Sequence, residues 1–150
     1  MTRYILGTNG DKTPILIDLN AGKCDVQAVK SIYNLIKTIK NPTFIIASGE
    51  INAITSVILF AVKKENRFAF KNSDIYIDTI PQVLFGFNSE ISKANTYIYE
   101  RLSEDTSLDK EMLKKTFLDE EDDNFYFGIA ELLDSNDIKI INDLTEIYDL

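Results

Sequence analysis

The segment Ala47–Ser56, ASGEINAITS, is where this chain most invites chemistry. An apolar strand-like run, PTFII, enters it and an amphipathic run, SVILFAV, leaves it. A strand, a turn of small residues and a helix in that order often present a nucleophile at the turn. The tip here offers Asn52, Ala53 and Ile54, and none of these can attack a carbonyl. Ser48 and Ser56 are the neighbouring hydroxyls. Ser56 lies about one helical turn past the tip, so its hydroxyl points to a different place and reads as a helix serine bonded to backbone.

Other reactive side chains give weaker signals. Cys24 follows Lys23, and a nearby cation lowers a thiol's pKa; with no base or orienting group in the pattern, Cys24 reads as a small packing residue in a strand–helix loop. Asp78 and the acidic run DEEDD offer hard oxygen ligands of the kind divalent cations take. Their spacing is not diagnostic, and a solvated acidic loop is the simpler reading. No metal or cofactor is implied.

The count of zero histidines excludes more than any motif does. Imidazole is the commonest general base at neutral pH. Without one, this chain can build neither a Ser-His-Asp triad nor a Cys-His pair, and it has no HExxH zinc site. Hydrolysis would need a lysine, a carboxylate or a partner's residue as base.

Composition sets the wider bounds. A chain of 150 residues is most simply one domain, large enough for a true core. The net charge of −8 repels phosphate backbones, so nucleic acid is not an expected partner. Lys37, Lys40, Lys63 and Lys64 form small basic spots at expected helix ends, where cations suit the helix dipole. With Cys24 the only cysteine, no intramolecular disulfide can form, and a reducing, cytoplasmic setting is expected. No apolar run reads as a bilayer span or signal peptide, so no membrane association is expected.

The elements that must position ASGEINAITS alternate. TPILIDLN reads as a buried strand. From an N-cap at Asp25, Val26, Val29, Ile32, Tyr33, Ile36 and Ile39 recur at helical spacing until Asn41-Pro42. TFIIA is the next strand, Ser48-Gly49 the turn, and a second helix is expected from about Ile51 to Lys64. RFAF and DIYIDTI read as strands around KNSD. SEISKANTYIYERL is helical, with Ile91, Asn95, Ile98 and Leu102 on one side. Ser107 is expected to cap a short helix through Lys115. QVLFGFN is an ambiguous apolar link and LDEEDDN a charged loop. FYFGIAELL reads as a helix, with the NFYF aromatics as core anchors, and IKII as a last strand. The tail TEIYDL reads as a frayed end or a docking segment. The alternation predicts an α/β fold, a largely parallel sheet with helices against it.

Over SGEINAITSVILFAVKKENRFAFKNSDIYID the sequence resembles the proteolytic subunit of the Clp protease, of the ClpP/crotonase fold. In that family a strand enters a Gly-x-Ala-x-Ser turn whose serine opens a helix, and an Asn-Ser stretch precedes the strand that ends in the catalytic histidine. Gly49 stands for the turn glycine, and Arg67, Asn72 and Ser73 stand for the family's Arg and Asn-Ser. The spacing runs without a gap from Asn20 to Asp78 and includes Ser31–Tyr33 on the preceding helix. The resemblance implies a ClpP/crotonase-like single domain, a parallel sheet of repeated strand–helix units with flanking helices.

Carried over residue by residue, the nucleophile position falls on Ala53 and the histidine position on Asp78. The oxyanion loop, Ser-Pro-Gly-Gly in the family, falls on AGKC, with Lys23 and Cys24 in place of the glycines. The third acid corresponds to Asp123, with Asp119, Glu120 and Asp122 as alternatives. An acid without its imidazole has nothing to orient, so no catalytic set is intact. If Asp78 and Asp123 meet in the old pocket, one of them should titrate high, because close carboxylates do not both ionise cheaply. Two departures bear on assembly: MTRYILGTNGDK is too short for the family's N-terminal helix and axial loops, and the stretch from Asp78 to Thr106 is about seven residues shorter, roughly two helical turns.

The expected function is that of a catalytically inactive ClpP-like pseudoprotease subunit, acting through oligomerisation or partner binding. The expected partners are copies of itself, as a homo-oligomer or heptameric ring, and another Clp subunit. The alternatives are a crotonase-like member with repurposed pocket chemistry, which the bulky AGKC loop weakens, and a plain α/β protein-binding module.

Overall fold

The computed structural model describes residues 13–22, 24–79, 89–119 and 126–148. In it β1 (Ile15–Ala21) lies parallel to β2 (Thr43–Asn52), joined by α1 (Val26–Thr38). α2 (Ala53–Leu59) and a short 3-10 turn at Lys64–Asn66 lead to β3 (Arg67–Phe70), and β4 (Asp74–Tyr76) follows directly. Then come α3 (Ser89–Asp105), α4 (Lys110–Phe117), α5 (Ile129–Asp134), β5 (Lys139–Ile141) and α6 (Thr145–Tyr148). Among the described residues the sheet has five strands, in the order β1-β2-β3-β5, with β4 paired to β2. Every strand pair is parallel. This is the α/β architecture expected of the alternating pattern.

β4 takes an unusual place because β3 is short. β3 pairs with β2 only over Ile45–Ala47, and β4 resumes beside the same strand at Glu50–Asn52. Ser73, in the turn between them, donates its hydroxyl to Ala47 O at 2.6 Å and pins the turn where one pairing stops. The expected strand DIYIDTI is therefore only three residues long, and Ile77 instead exchanges hydrogen bonds with Phe127 in an antiparallel bridge.

Strand alternation sorts side chains onto two faces. On one, Ile15, Ile17 and Leu19 of β1 and Ile45, Ala47 and Ile51 of β2 meet the apolar stripes of α1 to α5 in the main core. α1 is amphipathic as its spacing predicts, burying Val29, Tyr33 and Ile36, and Asp25 caps it by accepting from Ala28 N at 2.9 Å. Ile91, Asn95, Ile98 and Leu102 share the buried side of α3 as expected. On the other face Ile46, Phe68 and Ile141 form a smaller cluster, closed by Ile147 of α6. The tail segment through Tyr148 is thus a helix seated on the sheet, not a frayed end.

Other boundaries differ from the sequence reading for local reasons. α4 is capped by Asp109, which accepts from Met112 N at 2.8 Å, whereas Ser107 gives its own N–H to Asp137. FYFGIAELL splits: Phe127 is extended by its bridge to Ile77, and the helix opens at Ile129. Phe127 anchors the core, but Tyr126 is exposed and stacks on Tyr76 at 4.5 Å. QVLFGFN and most of LDEEDDN lie outside the described residues.

Candidate functional site

The turn between β2 and α2 is tighter than the sequence suggests. β2 runs through Ser48, Gly49 and Glu50 to Asn52, and α2 opens at the next residue, Ala53. Asn52 makes this possible. Its side chain accepts from Thr55 N at 3.1 Å, and Thr55 Oγ1 accepts from Asn52 N at 2.9 Å, a reciprocal capping box. The helix therefore starts two residues later than expected, and it ends at Leu59 instead of Lys64. Ala53, 6% exposed, stands at the first helical position.

Asn52 also donates through Nδ2 to Gly22 O, fastening the elbow to the loop after β1. A side chain at Gly22 would displace the Glu50 carboxylate, and one at Gly49 the Asn20 side chain. Cys24 is half-buried and packs on the edge of the main core, in keeping with a packing role. Lys23 lies outside the described residues.

Topology brings a second predicted position to the elbow. Asn52 is in register with Tyr76 of β4, so Ala53 and Asp78 both follow the carboxyl ends of neighbouring parallel strands. Asp78 is half-buried and accepts from Thr79 N at 2.6 Å. The bridge from Ile77 to Phe127 brings the chain after the acidic run to the same edge. Asp119 is exposed after α4, while Glu120, Asp122 and Asp123 lie outside the described residues.

The neighbouring hydroxyls are committed elsewhere. Ser56 is fully buried and donates to Ala53 O at 2.7 Å, the backbone bond its position predicts. Ser48 donates to the Asp18 carboxylate across the β1–β2 pair, five residues upstream of Ala53 and about 15 Å back along the strand. Asn52 is the residue that sequence reasoning passed over. The Asn-x-x-Thr pattern, a capping signature, was the available signal.

A parallel α/β sheet with a strand–elbow–helix at its carboxyl edge defines a class, and the comparisons narrow it. The sequence pattern of the Clp protease family matches residues 4–127, and this chain belongs to that family. The ATP-dependent Clp protease proteolytic subunit 2 of Treponema denticola is 29% identical over 109 residues, 68% of this chain and 54% of that protein. The chain thus spans about half the length of this curated relative. Among solved structures, ClpP1 from Listeria monocytogenes has a TM-score of 0.70 and 26% identity, covering 89% of this chain and 76% of that one. The ClpP protease catalytic domain from Plasmodium falciparum has a TM-score of 0.71 over 91% of this chain and 73% of that one; at 22% identity it shares the fold.

Proposed function

We propose that this chain is a ClpP-like subunit with no peptidase activity of its own, which acts by forming oligomers or by binding another protein. One observation carries the reading: the first residue of α2, the position that matches the family's nucleophile, is Ala53. A methyl group cannot attack a carbonyl, and neither nearby serine is free to replace it. Asp78, which matches the histidine position, bonds to its own neighbour Thr79, and the chain has no histidine elsewhere. A homo-oligomer of ring type, or a mixed assembly with another Clp subunit, in a cytoplasmic setting, is the corresponding mode of action.

The test combines turnover with particle size. Fluorogenic peptides are incubated with the purified chain and with Ala53→Ser. Neither should hydrolyse them, because the serine alone gains no general base. Native mass spectrometry over a concentration series should give an oligomer. Peptide turnover by the unaltered chain overturns the inactive reading. A monomer at every concentration removes self-assembly and leaves binding to a different protein as the mode of action.

A further inference from the structure

The elbow occupies the carboxyl ends of the strands; at their amino ends lies a separate cleft of about 1040 Å³. Thr43, which opens β2, and Arg67, which opens β3, form its floor, and Lys37, Lys40, Lys63 and Lys64 line its walls. The four lysines, scattered basic spots in the sequence, thus surround one concavity.

The ordinary role for cations here is to satisfy helix C-termini; Arg67 does so after α2 and α3, and at the end of α1 the Ile39 N–H and the Thr38 hydroxyl donate to Ile36 O and Leu35 O. α1, α2 and α3 all end at the cleft. Arg67 gives its guanidinium protons to Phe60 O, Val62 O and Asp105 O, and Lys37 pairs with Asp105 at 2.8 Å. Of the acids on the lining, Asp105 pairs with Lys37, Asp137 with Arg67 and Glu104 with Arg101. Lys40, Lys63 and Lys64 are exposed and form no ion pair among the described residues. Glu65 is the one lining acid in the same condition. Three lysines without an ion pair among the described residues thus share the cleft with Glu65, whose charge also acts on Arg67, on a chain whose net charge is −8.

We propose that this cleft binds an oligophosphate group, free or carried by a nucleotide. Lysine ammonium groups are point charges well suited to phosphate oxygens, and a concave wall focuses their field. Lys40 comes from the α1–β2 connection, while Lys63 and Lys64 come from the α2–β3 connection, so two separate connections contribute charge to the lining. A ligand that carries several phosphates offers an anionic group to each of the two connections. The cleft is also of the size that holds a small molecule.

Isothermal titration of the full chain with tripolyphosphate, ATP and adenosine, at about 20 mM and about 150 mM salt, tests this. Binding of tripolyphosphate and ATP with equal affinity assigns recognition to the phosphates. ATP binding at least about tenfold tighter than tripolyphosphate, with adenosine silent, assigns it to a nucleotide. Lys63→Glu/Lys64→Glu should weaken either ligand at least about tenfold. Lys114→Glu/Lys115→Glu makes the same charge change on α4 outside the cleft and should alter affinity less than about threefold. Silence from both phosphate ligands, or equal losses in the two double variants, overturns the proposal.

Discussion

Replacing Arg67 should undo the junction between the sheet and two helix ends. Its side chain is 4% exposed and holds the fold at four points. Nε and one terminal nitrogen donate to Val62 O at 2.9 and 2.7 Å; the same terminal nitrogen reaches Phe60 O at 3.3 Å and Asp105 O at 2.7 Å. The other terminal nitrogen faces Asp137 at 3.4 Å, and the guanidinium lies over the Phe60 ring at 5.2 Å. Burial lowers the Arg67 pKa, and the charges of Asp137 and Asp105 oppose that shift. Arg67→Met leaves a carboxylate only 1% exposed, together with three carbonyls, without their donor. Removing one partner of a buried pair costs about 3–5 kcal/mol. Asp137 keeps the Ser107 N–H and the Ser135 hydroxyl, at 2.8 and 2.6 Å, and water can enter from the cleft. The expected loss is therefore about 3 kcal/mol, a large share of the roughly 5–15 kcal/mol typical of a domain. Arg67→Lys keeps the charge but not the fork and should lose about half as much. Arg67→Met/Asp137→Asn should recover part of the loss, because the second change removes the stranded charge while the amide oxygen still accepts from Ser107 N–H. Urea denaturation measures all three. An Arg67→Met chain within about 1 kcal/mol of the parent, at unchanged slope, would refute the assignment of Arg67 as the common donor to α2 and α3.

Two further outcomes follow from other local networks. Asn52→Ala removes both the cap of α2 and the bond to Gly22 O, and should destabilise by about 1–3 kcal/mol, read as a lower thermal midpoint; a shift near zero would mean that the elbow does not depend on its cap. The Tyr33–Asp105–Lys37 cluster gives an alkaline signature. Tyr33 is held above its ordinary pKa by burial and by donating to Asp105 at 2.6 Å. For Lys37, burial pulls the pKa down, but the hydrogen bond and charge of Asp105 outweigh it and raise it. Both groups keep their protons longer in the folded chain, so the stability they give is present in full below about pH 10 and falls as pH rises through that region. Tyr33→Phe should make the fall in urea midpoint above about pH 10 shallower. Identical slopes for parent and variant would remove Tyr33 from that account.

What was legible in the sequence was local. The helical spacing of Val29, Tyr33 and Ile36, the Asp25 cap and the apolar runs of β1 and β2 act between residues a turn or a strand step apart, and the chain folds there as those rules require. Identity alone fixes that Ala53 is not a nucleophile and that no histidine exists to serve one. The tertiary structure decided what depends on residues far apart in the chain. Arg67 and Asp137 meet across 70 positions because β3 and β5 are neighbours and the left-handed turn at Asn136 leads Asp137 inward. β4 follows β2 past the end of β3, which sets Asp78 beside the elbow. Ile147 closes the second sheet face, and lysines from separate loops surround one cleft. Such placements follow from the joint burial of many apolar surfaces, which no short stretch of sequence encodes.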